Sequence, residues 1–213
     1  MARKLPVYIL IDVSGSMAGE PIQAVANGLQ IFAQAIGSDP YALETAHIGV
    51  VAFASDAREI VPLTEAAQFQ PPTLQASGCT ELGAALRLVK QCAEKEVKKT
   101  TATEKGDWKP LVFIMTDGAP TDDWQRGLQE FKQYRWGAVV ACAAGQGADV
   151  GVLSQITESV VCLDSTDAEA IKTYFKWLSA SVSQGSQKVD GGQEVGGLSD
   201  LPPVPPGLSL AKP

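Results

Sequence analysis

Continuous apolar runs alternate along this chain with stretches in which apolar residues return at helical spacing. The first run, Leu5–Ile11, has the pattern of a strand that is buried on both faces of a parallel sheet. After a short loop, Pro21 begins a helix whose apolar stripe ends at Gly37. The same order recurs when the apolar run Leu111–Met115 precedes a further helical segment. This alternation predicts a mostly parallel sheet with helices on both faces.

Six segments have strand-like patterns, and they span residues 5–11, 48–53, 58–63, 111–115, 138–143 and 160–163. Only the turn Ala54–Ala57 separates the second strand from the third. Because this turn is too short for a crossover helix, we expect these two strands to form an antiparallel hairpin. Pro62 cannot donate a hydrogen bond to a neighbouring strand, which places the third strand at the edge of the sheet. We therefore predict a three-layer α/β domain with a six-stranded, mostly parallel sheet and one antiparallel edge strand.

The chain of 213 residues is long enough for one well-filled core. The last helical pattern runs from about Asp167 to Val182. From Gln184 onward, Gly, Ser, Gln and Pro dominate and the helical period is lost. The sequence thus predicts one domain over residues 1–183 and a flexible tail over residues 184–213.

The charge and the apolar pattern exclude several classes of partner. A net charge of −7, with no basic stripe interleaved with aromatic residues, disfavours nucleic acid. The chain has neither the pattern of a signal peptide nor an apolar run long enough to cross a membrane, so we expect a cytoplasmic protein. Its four cysteines lack the paired spacing of a zinc site and are expected to be reduced thiols.

Three loops with oxygen-bearing side chains fall at the predicted carboxyl ends of strands or at the start of a helix. They contribute Asp12, Ser14 and Ser16, then Thr80, and finally Asp117. In open α/β sheets, ligands bind at this edge. Taken alone, the Asp12–Ser16 segment also fits a helix-capping turn, but the three loops together indicate a metal site. Hydroxyl and carboxylate oxygens favour Mg²⁺ or Mn²⁺ and also suit Ca²⁺, whereas zinc and copper would call for His or Cys.

The segment Asp12–Ser16, together with Thr80 and Asp117, resembles the metal-ion-dependent adhesion site of the von Willebrand factor A family. The resemblance covers residues 5–183 and implies a Rossmann-like fold. It also implies that Ser14, Ser16 and Thr80 coordinate the cation, and that the two aspartates bind it directly or through water. An Asp or Glu carboxylate of a partner protein would complete the coordination. The chain departs from the family at Cys79, where a second glycine is common.

Within that family, the opening run through Met17 and the segment Thr116–Asp122 are most similar to the bacterial TerY group, which is linked to tellurium resistance. Members of this group are associated with a protein kinase and a metal-dependent, PP2C-type phosphatase. The resemblance therefore implies a non-catalytic adaptor that assembles a stress-response signalling complex. These partners are implied by the resemblance alone.

Two other functions remain open from the sequence, namely a metal-dependent phosphoesterase and the regulatory subunit of a chelatase-like ATPase. A two-metal hydrolase needs several bridging carboxylates or histidines and a general base. Beyond Asp12 and Asp117, the loops offer mainly Asp122 and Asp123, which we interpret as capping residues of the following helix. The single histidine, His47, precedes a predicted buried strand, where a structural role is favoured.

Overall fold

The computed structural model of the protein describes residues 3–211 and contains a single mixed sheet. The strand order is β3-β2-β1-β4-β5-β6-β7. The strands are β1 (Leu5–Asp12), β2 (Ala46–Phe53), β3 (Ala57–Glu65), β4 (Leu111–Thr116), β5 (Val139–Ala144), β6 (Val160–Leu163) and β7 (Leu208–Leu210). Every residue of β1 and β4 is buried, which explains their unbroken apolar sequences.

The pairing of the strands confirms the predicted α/β fold and corrects the number of strands. Strands β1, β2, β4, β5 and β6 run parallel to one another, and β3 pairs antiparallel with β2 at one edge. This edge strand contains Pro62, as predicted. The sheet has seven strands rather than six, because β7 pairs antiparallel with β6 at the opposite edge. Strand β7 was missed because it has only three residues and lies within the predicted tail.

Helices cover both faces of the sheet, as the alternation of the sequence predicts. They are α1 (Glu20–Ile36), α2 (Pro40–Thr45), α3 (Leu82–Glu96), α4 (Trp124–Phe131), α5 (Val150–Ile156) and α6 (Ala168–Asp190). Helices α1, α2 and α6 bury apolar residues on one face, and α3, α4 and α5 bury theirs on the other. Helices α1 and α6 pack so closely that a β-carbon on Gly28 would lie 2.2 Å from the Phe175 ring. None of the helices in residues 3–211 is long and apolar enough to cross a membrane.

The C-terminal segment differs from the predicted tail. Helix α6 continues past residue 183 to Asp190, and both Val195 and Leu201 are buried in the core. The indole nitrogen of Trp177 donates a 3.0 Å hydrogen bond to the Pro202 carbonyl. The segment has no helical period because single apolar residues, rather than a periodic stripe, attach it to the domain. Residues 1, 2, 212 and 213, which the predicted domain and tail include, lie outside the described residues.

Candidate metal centre

The first loop begins where β1 ends, at the edge of the sheet where the parallel strands finish, which we call the carboxyl edge. Asp12 is fully buried there, and its Oδ1 accepts a 2.8 Å hydrogen bond from the Ser14 backbone N–H. A 3₁₀ turn over Gly15–Met17 follows and is anchored by the buried Met17 side chain. This turn brings the hydroxyl oxygens of Ser14 and Ser16 to 3.0 Å from each other. The predicted ligands of the first loop therefore lie together.

The third loop lies beside the first because β4 is a direct neighbour of β1 in the sheet. The Thr116 hydroxyl donates a 2.5 Å hydrogen bond to Asp12 Oδ2. The Ser16 hydroxyl donates a 2.8 Å hydrogen bond to Asp117 Oδ1. Two hydrogen bonds between side chains thus join loops that lie about 100 positions apart in the chain.

The second loop contacts the first through its backbone. The Gly15 N–H donates a 3.0 Å hydrogen bond to the Gly78 carbonyl. Gly78 has a φ of +81°, and a β-carbon at this position would lie 2.3 Å from Ser55 Oγ, so the turn requires glycine here. The next residue, Cys79, is exposed, and its backbone N–H donates to the same Ser55 hydroxyl. The cysteine at this position therefore occupies no space in the core.

Thr80 is only 7% exposed and lies against the third loop, where its hydroxyl oxygen is 3.6 Å from the position of a β-carbon on Gly118. Thr121 holds the Thr80 backbone on both sides. The Thr121 hydroxyl accepts from the Thr80 N–H at 3.1 Å, and the Thr121 N–H donates to the Thr80 carbonyl at 2.9 Å. All five predicted ligands, Asp12, Ser14, Ser16, Thr80 and Asp117, are consequently at one edge of the sheet.

The Asp122 carboxylate serves a different helix from the one predicted. Its two oxygens accept the backbone N–H groups of Gly83 and Ala84, at 3.0 and 2.9 Å, and so cap the start of α3. Asp123 alone caps α4, by accepting from the Arg126 N–H. Asp122 thereby ties the loop that carries Asp117 to the helix that follows Thr80. The role of Thr116 was likewise not predicted, although Thr116 and Asp122 are the two ends of the motif Thr116–Asp122.

Asp12 is an unusual buried carboxylate because no basic side chain within residues 3–211 pairs with it. Burial raises the pKa of Asp12, hydrogen bonds from Ser14 and Thr116 partly offset the increase, and the charge of Asp117 adds to it. Within residues 3–211, neither aspartate forms an ion pair with a basic side chain. A buried negative charge without a counter-charge is costly, and a bound cation would relieve that cost.

The donor set fits a hard cation. Carboxylate and hydroxyl oxygens converge at the carboxyl edge, and no nitrogen or sulfur side chain is among them. Across the described residues, no group of three or more His, Cys, Asp or Glu side chains forms a metal cluster. Any cation at this edge would therefore be held by two carboxylates and by neutral hydroxyls, and these ligands together carry little negative charge.

Residues 7–176 match the von Willebrand factor type A domain. Functionally curated proteins give no match to the chain.

Three solved structures illustrate the similarity of fold. A von Willebrand factor type A protein from Catenulispora acidiphila has a TM-score of 0.65 and 19% identity, over 86% of this chain and 43% of that one. The pilus adhesin SpaC from Lactobacillus rhamnosus GG, in its open conformation, has a TM-score of 0.66 and 16% identity, over 86% of this chain and 30% of that one.

The third structure, proximal thread matrix protein 1 from the mussel byssus, has zinc in its metal-ion-dependent adhesion site. Its TM-score is 0.61 at 21% identity, over 85% of this chain and 48% of that one. The chain spans less than half the length of each of the three proteins. At these identities the likeness establishes the fold.

Proposed function

The chain belongs to the von Willebrand factor type A domain family, and from that membership we propose that it is a non-catalytic adaptor that binds a partner protein through a divalent cation. The observation that carries the proposal is the buried Asp12 carboxylate, which has no basic partner within residues 3–211. It accepts the Ser14 N–H, and the hydroxyls of Ser14 and Ser16 lie 3.0 Å apart beside it. A cation at this point would supply the missing positive charge. It would also present an open coordination position to solvent.

We assign the cation ligands as the family resemblance implies. Ser14, Ser16 and Thr80 would bind the cation through their hydroxyl oxygens, while Asp12 and Asp117 would bind it directly or through water. Mg²⁺ or Mn²⁺ is our first choice because all of the donors are hard oxygens, and Ca²⁺ is the alternative. The zinc in the mussel protein supports the binding of a divalent cation at this kind of site.

The occupant of the open position would be an Asp or Glu carboxylate of the partner. Neutral hydroxyls leave most of the charge of the cation uncompensated, and an anionic oxygen is the natural further ligand. One such bond requires the desolvation of two ions, so we expect it to act together with a surrounding protein interface. The bond would then provide selectivity, and the interface would provide most of the affinity.

The biological setting is the finer part of the proposal. On its resemblance to the TerY group, we place the protein in a cytoplasmic stress-response complex of the tellurium-resistance type. Its partners there would be a protein kinase and a PP2C-type phosphatase. The four free cysteines are consistent with a reducing compartment.

Direct titration of the cation tests the site. Calorimetry with MgCl₂ and with MnCl₂ should give saturable binding to the native chain and much weaker binding to Thr80→Ala. Thr103→Ala is the matched control, because Thr103 is an exposed threonine in the 97–110 loop. Equal affinity in all three proteins would contradict the assigned ligands.

A second experiment tests the adaptor role. The partner that copurifies with the chain from cell lysate should be retained with Mg²⁺ and released by EDTA. It should bind Thr103→Ala but not Thr80→Ala. Retention that is equal in EDTA and in the Thr80 variant would contradict a cation-dependent adaptor. Turnover of p-nitrophenyl phosphate with Mn²⁺ would favour the phosphoesterase instead, and copurification with an ATPase would favour the chelatase-like subunit.

A further inference from the structure

Positive charge is concentrated in three short segments of this acidic chain. Residues 3–4, 95–109 and 132–135 contain nine of the 17 Lys and Arg residues but only three of the 24 acidic residues, a net charge of +6. The remaining residues, with eight bases and 21 acids, have a net charge of −13. The basic residues are therefore unevenly distributed along the sequence, and the fold determines whether they lie together.

The fold brings these segments together at the amino edge of the sheet, where the parallel strands begin. Residues 95–109 connect the end of α3 to the start of β4, and residues 132–135 connect α4 to β5. The backbone N–H of Trp108 donates a 2.9 Å hydrogen bond to the Lys4 carbonyl, next to the start of β1. This edge is opposite the one that carries Asp12 and Asp117.

A cleft of about 450 Å³ opens between these segments, and we call it the basic cleft. Its apolar and aromatic lining consists of Val97, Trp108, Pro110 and Tyr134. Its basic lining consists of Lys98, Lys99, Lys109 and Arg135. An apolar interior with a charged border can take up an amphipathic ligand.

The loop that forms one wall of the cleft is fixed in place. The Asp107 carboxylate accepts the backbone N–H groups of Lys4 and Lys98, at 3.1 and 2.8 Å. The Arg3 guanidinium lies 3.5 Å from the centre of the Trp108 ring, in a cation–π contact. Gly106 packs against the backbone of residues 98–100, where a β-carbon would come within 2.3 Å of the Lys98 carbonyl. The cleft is therefore preformed.

Both acidic residues of the cleft have partners within the protein, whereas two of its basic residues have no ion-pair partner within residues 3–211. Asp107 binds backbone N–H groups, and Glu94 forms a 3.0 Å ion pair with Lys90. Lys98 pairs with Glu104, and Lys109 pairs with Glu194, both at 2.6 Å. Lys99 and Arg135 are exposed, and neither has an ion-pair partner within residues 3–211.

We infer that the basic cleft is a second docking surface, which binds a short acidic segment of a partner protein that carries an apolar or aromatic residue. Lys99 and Arg135 would pair with carboxylates of the segment, and its apolar residue would occupy the cleft beside Trp108 and Tyr134. Charge complementarity favours an acidic occupant. The net charge of −13 on the remaining residues disfavours a long polyanion or a charged membrane, both of which would extend beyond the cleft.

This surface is independent of the proposed cation site, because the two lie at opposite edges of the sheet and share no residue. Binding in the cleft requires no metal. With both surfaces, one chain could hold two partners at once, or hold one partner at two points and gain from the high local concentration. The two proposals can therefore fail separately.

A labelled peptide in which glutamates flank a single phenylalanine tests the inference by fluorescence anisotropy at low salt. Two control peptides replace every glutamate by glutamine, or the phenylalanine by glycine. The test variant of the full chain is Lys99→Glu with Arg135→Glu. The control variant, Arg58→Glu with Lys176→Glu, makes the same change in net charge at two exposed bases outside the cleft. Thermal unfolding verifies that all of the proteins are folded.

We expect the glutamate peptide to bind the native chain equally well with Mg²⁺ and with EDTA, and better than either control peptide. The test variant should bind it at least about tenfold more weakly, while the control variant retains most of the affinity. Equal losses in the two variants would mean that the peptide responds only to net charge, and would overturn the inference. Loss of binding in EDTA would show that the peptide binds at the cation site, and would overturn the inference. Tighter binding of duplex DNA or of anionic lipid vesicles would show that the cleft does not prefer an acidic peptide, and would overturn it as well.

Discussion

The hydroxyl of Thr116 donates a 2.5 Å hydrogen bond to Oδ2 of Asp12, although the two residues are 104 positions apart. Both side chains are buried, and the Ser14 N–H donates to the other oxygen of the same carboxylate. The two bonds fix the orientation of Asp12. Thr116 is therefore a positioning residue, which would act on a bound cation through the carboxylate that it holds.

Replacement of Thr116 by valine should weaken cation binding. The substitution keeps the shape of the side chain but removes the hydrogen bond to Asp12. Loss of such an indirect partner typically costs about 10–100-fold in metal affinity, and we expect the lower end for a neutral donor. Calorimetric titration with MnCl₂ measures the effect. Thr45→Val is the matched control, because Thr45 is buried away from the carboxyl edge and its hydroxyl donates to the Tyr41 carbonyl.

Asp12→Asn should separate the stability of the protein from its ability to bind a cation. Without a cation, the substitution removes a buried negative charge that has no counter-charge within residues 3–211, and asparagine can still accept the Ser14 N–H. The variant should therefore be at least as stable as the native chain in EDTA. A saturating cation should raise the Tm of the native chain but not of the variant, since a ligand at 100 times its Kd adds about 2.7 kcal/mol of stability. A marked loss of stability in EDTA would show that the charge of Asp12 is not a cost in the folded protein.

Asp122 and Asp123 form a natural pair for comparison, because adjacent carboxylates cap two different helices. Each substitution by alanine should cost about 1 kcal/mol of stability through the loss of a cap. Only Asp122→Ala should also lower cation affinity, because Asp122 joins the Asp117 loop to the start of α3, next to Thr80. Urea unfolding and MnCl₂ titration of both variants provide the test. An equal change in affinity for the two variants would contradict the special position of Asp122.

The sequence predicts a strand or helix well when all of its residues share the same environment, such as burial along the full length of a strand. The runs Leu5–Ile11 and Leu111–Met115 are apolar throughout because β1 and β4 are buried on both faces. Pro62 identifies the edge strand because proline has no backbone N–H to donate to a neighbouring strand. Helix α2, in contrast, has six residues and no long stripe, so its only signals are the capping Asp39 and the following Pro40.

The positions of the candidate ligands could be predicted because they follow from topology. Asp12 and Asp117 end or follow neighbouring parallel strands, and such ends meet at one edge. The role of Asp122 could not be predicted in the same way. It depends on how closely α3 approaches the start of α4, where a β-carbon on Gly83 would lie 2.7 Å from the Trp124 α-carbon. That distance is a property of tertiary packing, and the sequence spacing does not encode it. The roles of the five ligands remain a prediction.

His47 should make the protein less stable below neutral pH. Burial lowers the pKa of His47 below its ordinary value of 6.5, although the Thr45 carbonyl partly opposes this shift. As the pH falls below about 6.5, His47 therefore takes up a proton more readily in the unfolded chain than in the folded protein. This difference favours unfolding, so the contribution of His47 to stability is lost. Urea unfolding of the native chain and of His47→Gln, in EDTA between pH 7 and pH 5, tests the direction. The native chain should lose more stability than the variant, and parallel curves would contradict the assignment.

Leu201 should contribute to stability although it lies in a segment without regular periodicity. Its side chain is 5% exposed, whereas that of Leu210, nine positions later, is 48% exposed. Near Leu201, Lys188 pairs with Asp200 at 2.5 Å, and the indole nitrogen of Trp177 donates to the Pro202 carbonyl. The segment is thus held on both sides of the buried leucine, and a cavity left by its removal could not collapse easily.

A cavity that cannot collapse raises the cost of Leu201→Ala, but the site is close to the surface. We expect a loss of about 2–3 kcal/mol, near the lower end for a buried leucine. For a chain of this length, that loss lowers the Tm by about 5–10 °C. Leu210→Ala is the matched control, and it should change stability by no more than about 0.5 kcal/mol because the side chain is half exposed. Thermal and urea unfolding of both variants in EDTA keep the cation out of the comparison. Equally small effects at the two positions would contradict the contribution of Leu201 to the core.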